Sequence, residues 1–275
     1  MDSTMTSPRD TFDSISMHSD VAVEDDDDIV VDVETSERER IDAHLAVVLN
    51  VDTIIISDLH LGSDVARSKA LVMMLKTHHY KRLILNGDVF DDLNFKRLTK
   101  DDWKVLSLLR RLSNPRRGID VVWVVGNHDG GVSEILTHLL GVPVHEEIVF
   151  TVAGKRHLAI HGHQFDRWIT KHVTITAIAS WLYLLLQRMD PHHRVSRWVK
   201  RTSKKWLRLS DKIAHDATSH GKRRHQAQFV HCGHTHMPGI KQIDDVVYVN
   251  SGCWTDKPST YVTIDHQGDV QLNSM

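Results

Sequence analysis

Five short stretches hold the residues whose types and spacing could do chemistry. They are Ser57-Asp58-Leu59-His60, Asn86-Gly87-Asp88, Gly126-Asn127-His128-Asp129, His161-Gly162-His163 and Gly233-His234-Thr235-His236. The first closes the apolar, β-branched run Val51–Ile56. A carboxylate and an imidazole are costly to place at the end of a buried run unless something pairs them. Together the stretches offer two or more carboxylates, an amide and four or five imidazoles. That mixed nitrogen and oxygen set suits Mn, Fe or Zn better than Ca or Mg. It is enough for two ions if one carboxylate bridges them. Two ions about 3.5–4 Å apart can activate a water and clamp both oxygens of an in-line phosphoryl displacement. Taken singly, each Asp reads as a turn or cap residue and each His as a packed one. Five such places in order, each behind a strand-like run, are hard to explain separately.

The elements that must position them follow from hydrophobic periodicity. Thr53–Ile56, Arg82–Leu85 and Ile119–Val125 read as buried strands. Between them, Ala66–Thr77 has Ala70, Met73 and Met74 at helical spacing, and Asp101–Leu112 is a helix with Trp103, Leu106, Leu109 and Leu112 inward. A short helix, Ser133–Leu140, is stopped by Gly141 and Pro143. Alternating strands and helices with almost wholly apolar strands predict sheets covered by helices. Beyond Val144 the pattern changes. His145–Val152 and His157–Ile160 read as neighbouring strands, followed by Phe229–His231, Val246–Asn250, Tyr261–Ile264 and Asp269–Leu272. Short strands without helices between them predict mixed pairing, and a two-sheet sandwich with each sheet fed by one half of the chain. Each motif then lies past the C-terminal end of a strand, where open α/β sheets place ligands. Asp58 and His60, like His234 and His236, are two apart, so a strand end would project each pair to one side.

The chain of 275 residues, 41% hydrophobic and 25% charged, has the composition of a globular protein with a sizeable core. Its net charge of −2 is a cancellation. Residues 1–50 hold fourteen acidic and three basic side chains, including five consecutive acids at Glu24–Asp28. That composition predicts a disordered acidic tail ahead of a domain at 51–275. Residues 188–224 hold twelve basic and three acidic side chains. Two cysteines, Cys232 and Cys253, cannot form a disulfide framework, so a reducing compartment is the default. The N-terminus lacks a basic-then-apolar pattern, which predicts no secretion and a cytoplasmic location.

In this order, Asp-x-His, Gly-Asp, Gly-Asn-His-Asp, His and Gly-His-x-His, the motifs resemble those of the calcineurin-like metallophosphoesterases, over about residues 52–265. The resemblance implies a four-layer α/β-β-α sandwich and a dinuclear metal site. By matching positions, Asp58, His60 and His236 would hold one ion. Asn127, His161 and His234 would hold the second, and Asp88 would bridge both. His128 would be the catalytic histidine beside the phosphate, with Asp129 orienting it. Two roles stand open for His128, general acid and stabiliser of charge. The reaction implied is hydrolysis of a phosphodiester or pyrophosphate bond by metal-activated hydroxide, with two divalent ions, Mn2+ first and Fe or Zn as alternatives.

Within the superfamily, Ser57–Gly62, Cys232–Pro238 and Tyr248–Trp254 resemble the UDP-2,3-diacylglucosamine hydrolase group. So does a long helical cap insertion, here at about 167–228. That group cleaves a pyrophosphate bond in lipid A biosynthesis, and its cap helps hold a lipid-bearing nucleotide sugar. This chain departs from the group at His128, where better-known members carry Arg, and at His163 and Cys253, where Asp is usual. His128 matches the wider superfamily instead. A related hydrolase of another phosphodiester therefore stands as the alternative, with a nuclease behind it.

The insertion can also be read directly. Val173–Leu186 is strongly apolar, but fourteen residues are too few to span a bilayer. It reads as a helix packing the cap on the core or as an acyl-chain groove. Val195, Trp198, Val199, Thr202, Trp206 and Leu209 keep roughly helical spacing among the basic residues of 188–212. Such an amphipathic basic helix is either a solvated charged face or a binder of an acidic, lipid-bearing substrate or an anionic membrane surface, which would make the protein peripheral at the inner face. The same charges with interleaved Trp could hold nucleic acid, the weaker reading. A non-catalytic membrane-associated scaffold is disfavoured because every ligand position is filled.

Overall fold

A strand that is apolar at every position must be covered on both faces, and here one face meets helices while the other meets a second sheet. The computed structural model describes residues 49–129, 137, 138, 140–166 and 204–275. In chain order the strands of the first half are β1 (Leu49–Asn50), β2 (Thr53–Ile56), β3 (His78–His79), β4 (Arg82–Asn86), β5 (Asp120–Val124) and β6 (Val144–His145). Then come β7 (Glu147–Val152), β8 (Lys155–Ile160), β9 (Phe229–Cys232), β10 (Gly239–Ile243), β11 (Val246–Asn250), β12 (Thr260–Ile264) and β13 (Val270–Ser274). The α-helices with described bounds are α1 (Ser68–Lys76), α2 (Lys100–Leu112) and α3 (Lys204–His225). One sheet has the order β13-β12-β2-β4-β5-β6 and the other β10-β11-β9-β8-β7. β2, β4, β5 and β6 run parallel, and β12 and β13 add antiparallel edges.

Successive residues of the strands go to different layers, as the period of two requires. Ile54, Ile56, Leu83, Leu85, Val121 and Trp123 pack with Leu71, Met74 and Leu75 of α1 and Val105, Leu106, Leu108, Leu109 and Leu112 of α2. The intervening Ile55, Ile84 and Val124 meet Phe150, Ala159 and Val249 of the other sheet. Beyond that sheet, Leu158, Ile160, Val230 and Tyr248 pack on Ala214 and Ala217 of α3. The result is helices, sheet, sheet, helix: the four-layer α/β-β-α sandwich. Each fully buried aliphatic side chain in these layers contributes roughly 1.5–3 kcal/mol.

Several details differ from the periodicity reading. Trp103 is 53% exposed and Met73 is 58% exposed. The inward stripe of α2 is Val105, Leu108, Leu109 and Leu112, and that of α1 is Leu71, Met74 and Leu75, each at spacings of three and four. α2 starts where Thr99 and Asp102 form a reciprocal capping box. His145–Val152 is two strands, because β6 pairs with β5 in the first sheet while β7 pairs with β8 in the second. The sheets are not fed by separate halves of the chain. β12 and β13 return to pair with β2. β10 was not expected, since Lys241 and Gln242 leave it without an apolar run. It is an exposed edge strand. The expected acidic tail lies outside the described residues up to position 48, as do most of Ser133–Leu140 and the insertion from 167 to 203.

Between the sheets lies a buried pair of histidines. His157 Nδ1 is 3.0 Å from His231 Nε2, and the His157 ring stacks on Phe150 and Phe229. Burial, with Lys155 adding to it, pulls His157 down to about 4, and burial likewise pulls His231 well below the usual imidazole range. An unfolded histidine takes up a proton below about 6.5. The folded chain resists, so this stabilisation is complete above that pH and is lost as pH falls from 6.5 toward 4. The loss at His157 is expected to reach roughly 3 kcal/mol. Urea unfolding at pH 7 and pH 4.5 measures it. His157→Phe should flatten the dependence, and an unchanged slope in that variant would contradict the assignment.

Candidate metal centre

The five motifs follow β2, β4, β5, β8 and β9, and each begins within one or two residues of its strand's last residue. The loops after β2 and β4 run side by side. Asp58 N–H donates to the Gly87 carbonyl, His60 N–H to that of Asp88 and Leu61 N–H to that of Val89. Asp58, His60, Asp88, His234 and His236 all have positive φ, between 47° and 62°. Left-handed backbone costs a residue with a side chain roughly 1–3 kcal/mol and clusters at functional sites. This corrects the expectation from the strand pleat. Asp58 and His60 converge because both lie in left-handed turns beyond the strand, not because they continue it.

Two glycines let the loops approach so closely. A Cβ on Gly126 would lie 2.2 Å from the backbone nitrogen and Oδ1 of Asp88, and one on Gly233 would lie 2.4 Å from Asp58 Oδ2. The Gly233 loop is also fixed from below. Asn250 Nδ2 donates to the Gly233 carbonyl at 2.7 Å, and His234 N–H donates to the Asp58 carboxylate at 3.0 Å.

The side chains form three overlapping groups of donor atoms: Asp58 with His60 and His236, His60 with Asp88 and His128, and Asp88 with His161 and His234. His236 Nε2 is 3.1 Å from Asp58 Oδ1 and 3.3 Å from His60 Nε2. Asp88 Oδ2 is 3.3 Å from His161 Nε2 and 4.0 Å from the Nε2 atoms of both His60 and His128. Asn127 Oδ1 is 3.1 Å from His234 Nδ1. All seven residues assigned to metal by matching position are thus brought together, and Asp88 is common to the group with His60 and His128 and the group with His161 and His234.

The residues fit divalent metal. Donors held at about 2.1 Å from one ion stand roughly 3–3.5 Å apart, the spacing of His236 with Asp58 and His60, of His161 with Asp88 and of His234 with Asn127. His161 Nδ1 donates to the Asn86 carbonyl at 2.8 Å, which turns the lone pair of Nε2 toward Asp88. That Nε2 is buried without a well-formed hydrogen bond. Two imidazole nitrogens at 3.3 Å also need a proton or a cation between them. The electrostatics agree. Burial would raise the Asp58 carboxyl, but His236 and His161 outweigh it and hold it below its ordinary value. Burial opposes Asp88 in the same way, and His161, His128 and His60 hold it well below. Burial would lower His161, yet Asp88 and Asp58 pull it up to about 9. The centre is built to attract positive charge.

The two catalytic assignments separate. His128 N–H donates to Asp88 Oδ1 at 2.9 Å, and its Nδ1 donates to the Asp91 carbonyl at 2.6 Å. Its side chain is 36% exposed, and its Nε2 lies 4.0 Å from Asp88 Oδ2. Asp129 was expected to orient His128, but that role falls to the Asp91 carbonyl. The buried Asp129 carboxylate instead accepts from the N–H groups of Val89, Phe90, Gly126 and the Trp123 indole. It ties the second motif to the third and is structural.

Two carboxylates were missed. Asp91 Oδ1 is 3.5 Å from His60 Nδ1, and Arg97 pairs with Asp91 at 2.8 Å. Asp166 Oδ2 is 3.1 Å from His234 Nε2, which leaves Nδ1 beside Asn127. Single carboxylates outside a repeated motif gave no signal; only their place behind a histidine does. Such partners orient a ligand and raise its basicity. Asp166→Ala is therefore expected to weaken metal affinity about 10–100-fold. Isothermal titration with Mn2+ measures this, and an unchanged affinity would remove the role.

A rim of strand ends carrying a shared carboxylate between two nitrogen-rich triplets defines a metal-dependent phosphoester hydrolase. The family model described as "Calcineurin-like phosphoesterase superfamily domain" matches residues 51–269, and the chain belongs to that superfamily. No curated protein matched the sequence. Among solved structures it is similar to a novel archaeal phosphodiesterase, at 16% identity over 81% of this chain and 99% of that one, with a TM-score of 0.44. It is also similar to Yfce, a phosphoesterase from E. coli, at 16% identity over 81% and 98% with a TM-score of 0.41. Wild-type Vps29 complexed with Zn2+ from Entamoeba histolytica aligns at 14% identity over 81% and 97%, TM-score 0.41. At these scores none of them bears on this chain's substrate. Among the described residues no helix is long and apolar enough to cross a membrane.

Proposed function

We propose that this phosphoesterase hydrolyses the pyrophosphate bond of a lipid-bearing nucleotide sugar of the UDP-2,3-diacylglucosamine class. The observation that carries the hydrolytic part is the sharing of Asp88 between His60 and His128 on one side and His161 and His234 on the other. Two bound divalent cations, with Mn2+ the first choice, would supply a nucleophile from water at neutral pH and offset charge on the phosphoryl oxygens. Asp58, His60 and His236 would hold one, Asn127, His161 and His234 the other, and Asp88 would be shared by both. His128, in its doubly protonated form, would present an Nε2–H to a non-bridging or leaving oxygen of the phosphate, while its Nδ1–H, donated to the Asp91 carbonyl, fixes the ring.

The substrate class is supported by the motif details around Ser57–Gly62 and Tyr248–Trp254 and by the basic insertion. Arg208, Arg223 and Arg224 are exposed on α3, whose opposite face packs on the second sheet, while Lys212 and Lys222 pair with Asp216 and Asp245. These cations suit an acidic substrate presented at an anionic membrane surface, and they favour peripheral attachment. A second reading, a phosphodiesterase of a different small substrate, is favoured by His128 standing where the hydrolase group carries Arg. Mass spectrometry of products decides between them. The proposal requires UMP and a lipid phosphate from the UDP-sugar lipid. Turnover of cyclic nucleotides or single-stranded DNA with none of the UDP-sugar lipid would replace it.

A further inference from the structure

Away from the dinuclear centre, a second kind of donor cluster joins α3 to the edge of the second sheet. Glu147 opens β7, an outer strand of that sheet, and His220 and His225 lie in the last two turns of α3. His220 Nε2 is 2.6 Å from Glu147 Oε2, and His225 Nε2 is 2.8 Å from Glu147 Oε1. One ligand atom from each of the three residues lies within 4.8 Å of the others. The side chains are 21–26% exposed, buried enough to be held and open enough for an ion to enter. The two imidazole rings meet edge to face at 5.5 Å.

We infer that Glu147, His220 and His225 form a further divalent-cation site, of the Zn2+ class, that ties the C-terminal end of α3 to β7. Two imidazole nitrogens and one carboxylate are a recurrent three-ligand zinc set, with the remaining position left to water or an outside ligand. A simple ion pair would need only one histidine per carboxylate. Here two histidines meet one carboxylate, one at each oxygen, and a donor atom from each of the three lies within 4.8 Å of the others. Coordination would spread these contacts from hydrogen-bond length to the roughly 3–3.5 Å that ligands of one ion adopt. The site also has a route to the dinuclear centre. The His220 ring packs at 5.7 Å on Phe165, whose neighbour Asp166 holds His234. The ion would therefore sit beside the turn that carries Asp166, outside the reacting centre.

The test uses the full chain stripped with chelator, re-equilibrated with Zn2+ and freed of excess ion by gel filtration. Bound zinc is counted by inductively coupled plasma mass spectrometry in the wild type, in His225→Ala and in Glu147→Gln. Glu147→Gln keeps the shape of the side chain and removes its charge, so it guards against a His225 variant that fails to fold, and circular dichroism checks both. The expected result is one equivalent of zinc fewer in each folded variant than in the wild type, with phosphodiester hydrolysis retained within about threefold. Equal zinc in the wild type and Glu147→Gln would overturn the site and leave a plain ion pair. The count is a difference, so it decides the matter even if the main centre prefers another metal or hydrolyses another substrate.

Discussion

Asp88→Asn is expected to lower turnover of a phosphodiester by roughly three orders of magnitude, the largest effect of any single substitution in the chain. The amide has the same size and can still accept from His128 N–H, so the loop geometry should survive. What is lost is the negative charge that three imidazoles surround. His161, His128 and His60 all act on this one buried carboxylate. Without it, both groups that contain Asp88 lose their only anionic member, and two cations would stand against each other with less charge between them. Orienting partners of metal ligands typically matter 10–100-fold, and a residue shared by both ions must exceed that. Steady-state kinetics on bis(p-nitrophenyl) phosphate at saturating Mn2+ measures it. Turnover within about tenfold of wild type would remove Asp88 from its bridging place.

The second large effect is expected at His128. His128→Gln should lower kcat about 100–1000-fold, the usual worth of one donor aimed at developing charge. Metal content should stay at the wild-type level, because the metals have their own ligands. The ring is fixed by the Asp91 carbonyl at 2.6 Å, so its Nε2 meets substrate already oriented. A variant with normal kcat would show that His128 only shapes the loop. A variant that lost metal would instead make it a ligand, through the group it shares with His60 and Asp88. A leaving group of low pKa distinguishes its two roles. If His128 protonates the leaving oxygen, the defect should shrink on such a substrate; if it only offsets charge, the defect should persist.

The centre was legible in the sequence because its residues sit in short motifs at the ends of apolar strands. The order of five such motifs carried more than any one of them. Its detailed geometry was not legible for a definite reason. Asp58, His60, Asp88, His234 and His236 occupy left-handed backbone, which Asp and His adopt more readily than most residues but still uncommonly. Hydrogen bonds between the loops, such as His60 N–H to the Asp88 carbonyl, impose it. Asp129 shows the opposite failure. Its place in Gly-Asn-His-Asp suggested chemistry, whereas four N–H donors from three segments make it a clamp. Asp166 and Asp91 were invisible because a positioning carboxylate has no motif of its own. In the fold, the sandwich followed from strands apolar on both faces. The return of β12 and β13 to the first sheet did not follow, because nothing in an apolar run such as Thr260–Ile264 specifies which sheet it joins. Trp103 misled the helix reading by size alone, since the stripe of Val105, Leu108, Leu109 and Leu112 already filled the inward face.

The central claim is that one carboxylate, Asp88, joins two cations. Electron paramagnetic resonance of the full chain loaded with Mn2+ reads this directly, because two manganese ions bridged by a carboxylate are magnetically coupled. The wild type should show the spectrum of a coupled pair, and Asp88→Ala should show only isolated ions. A wild-type spectrum containing isolated Mn2+ alone, at saturating metal, would contradict it.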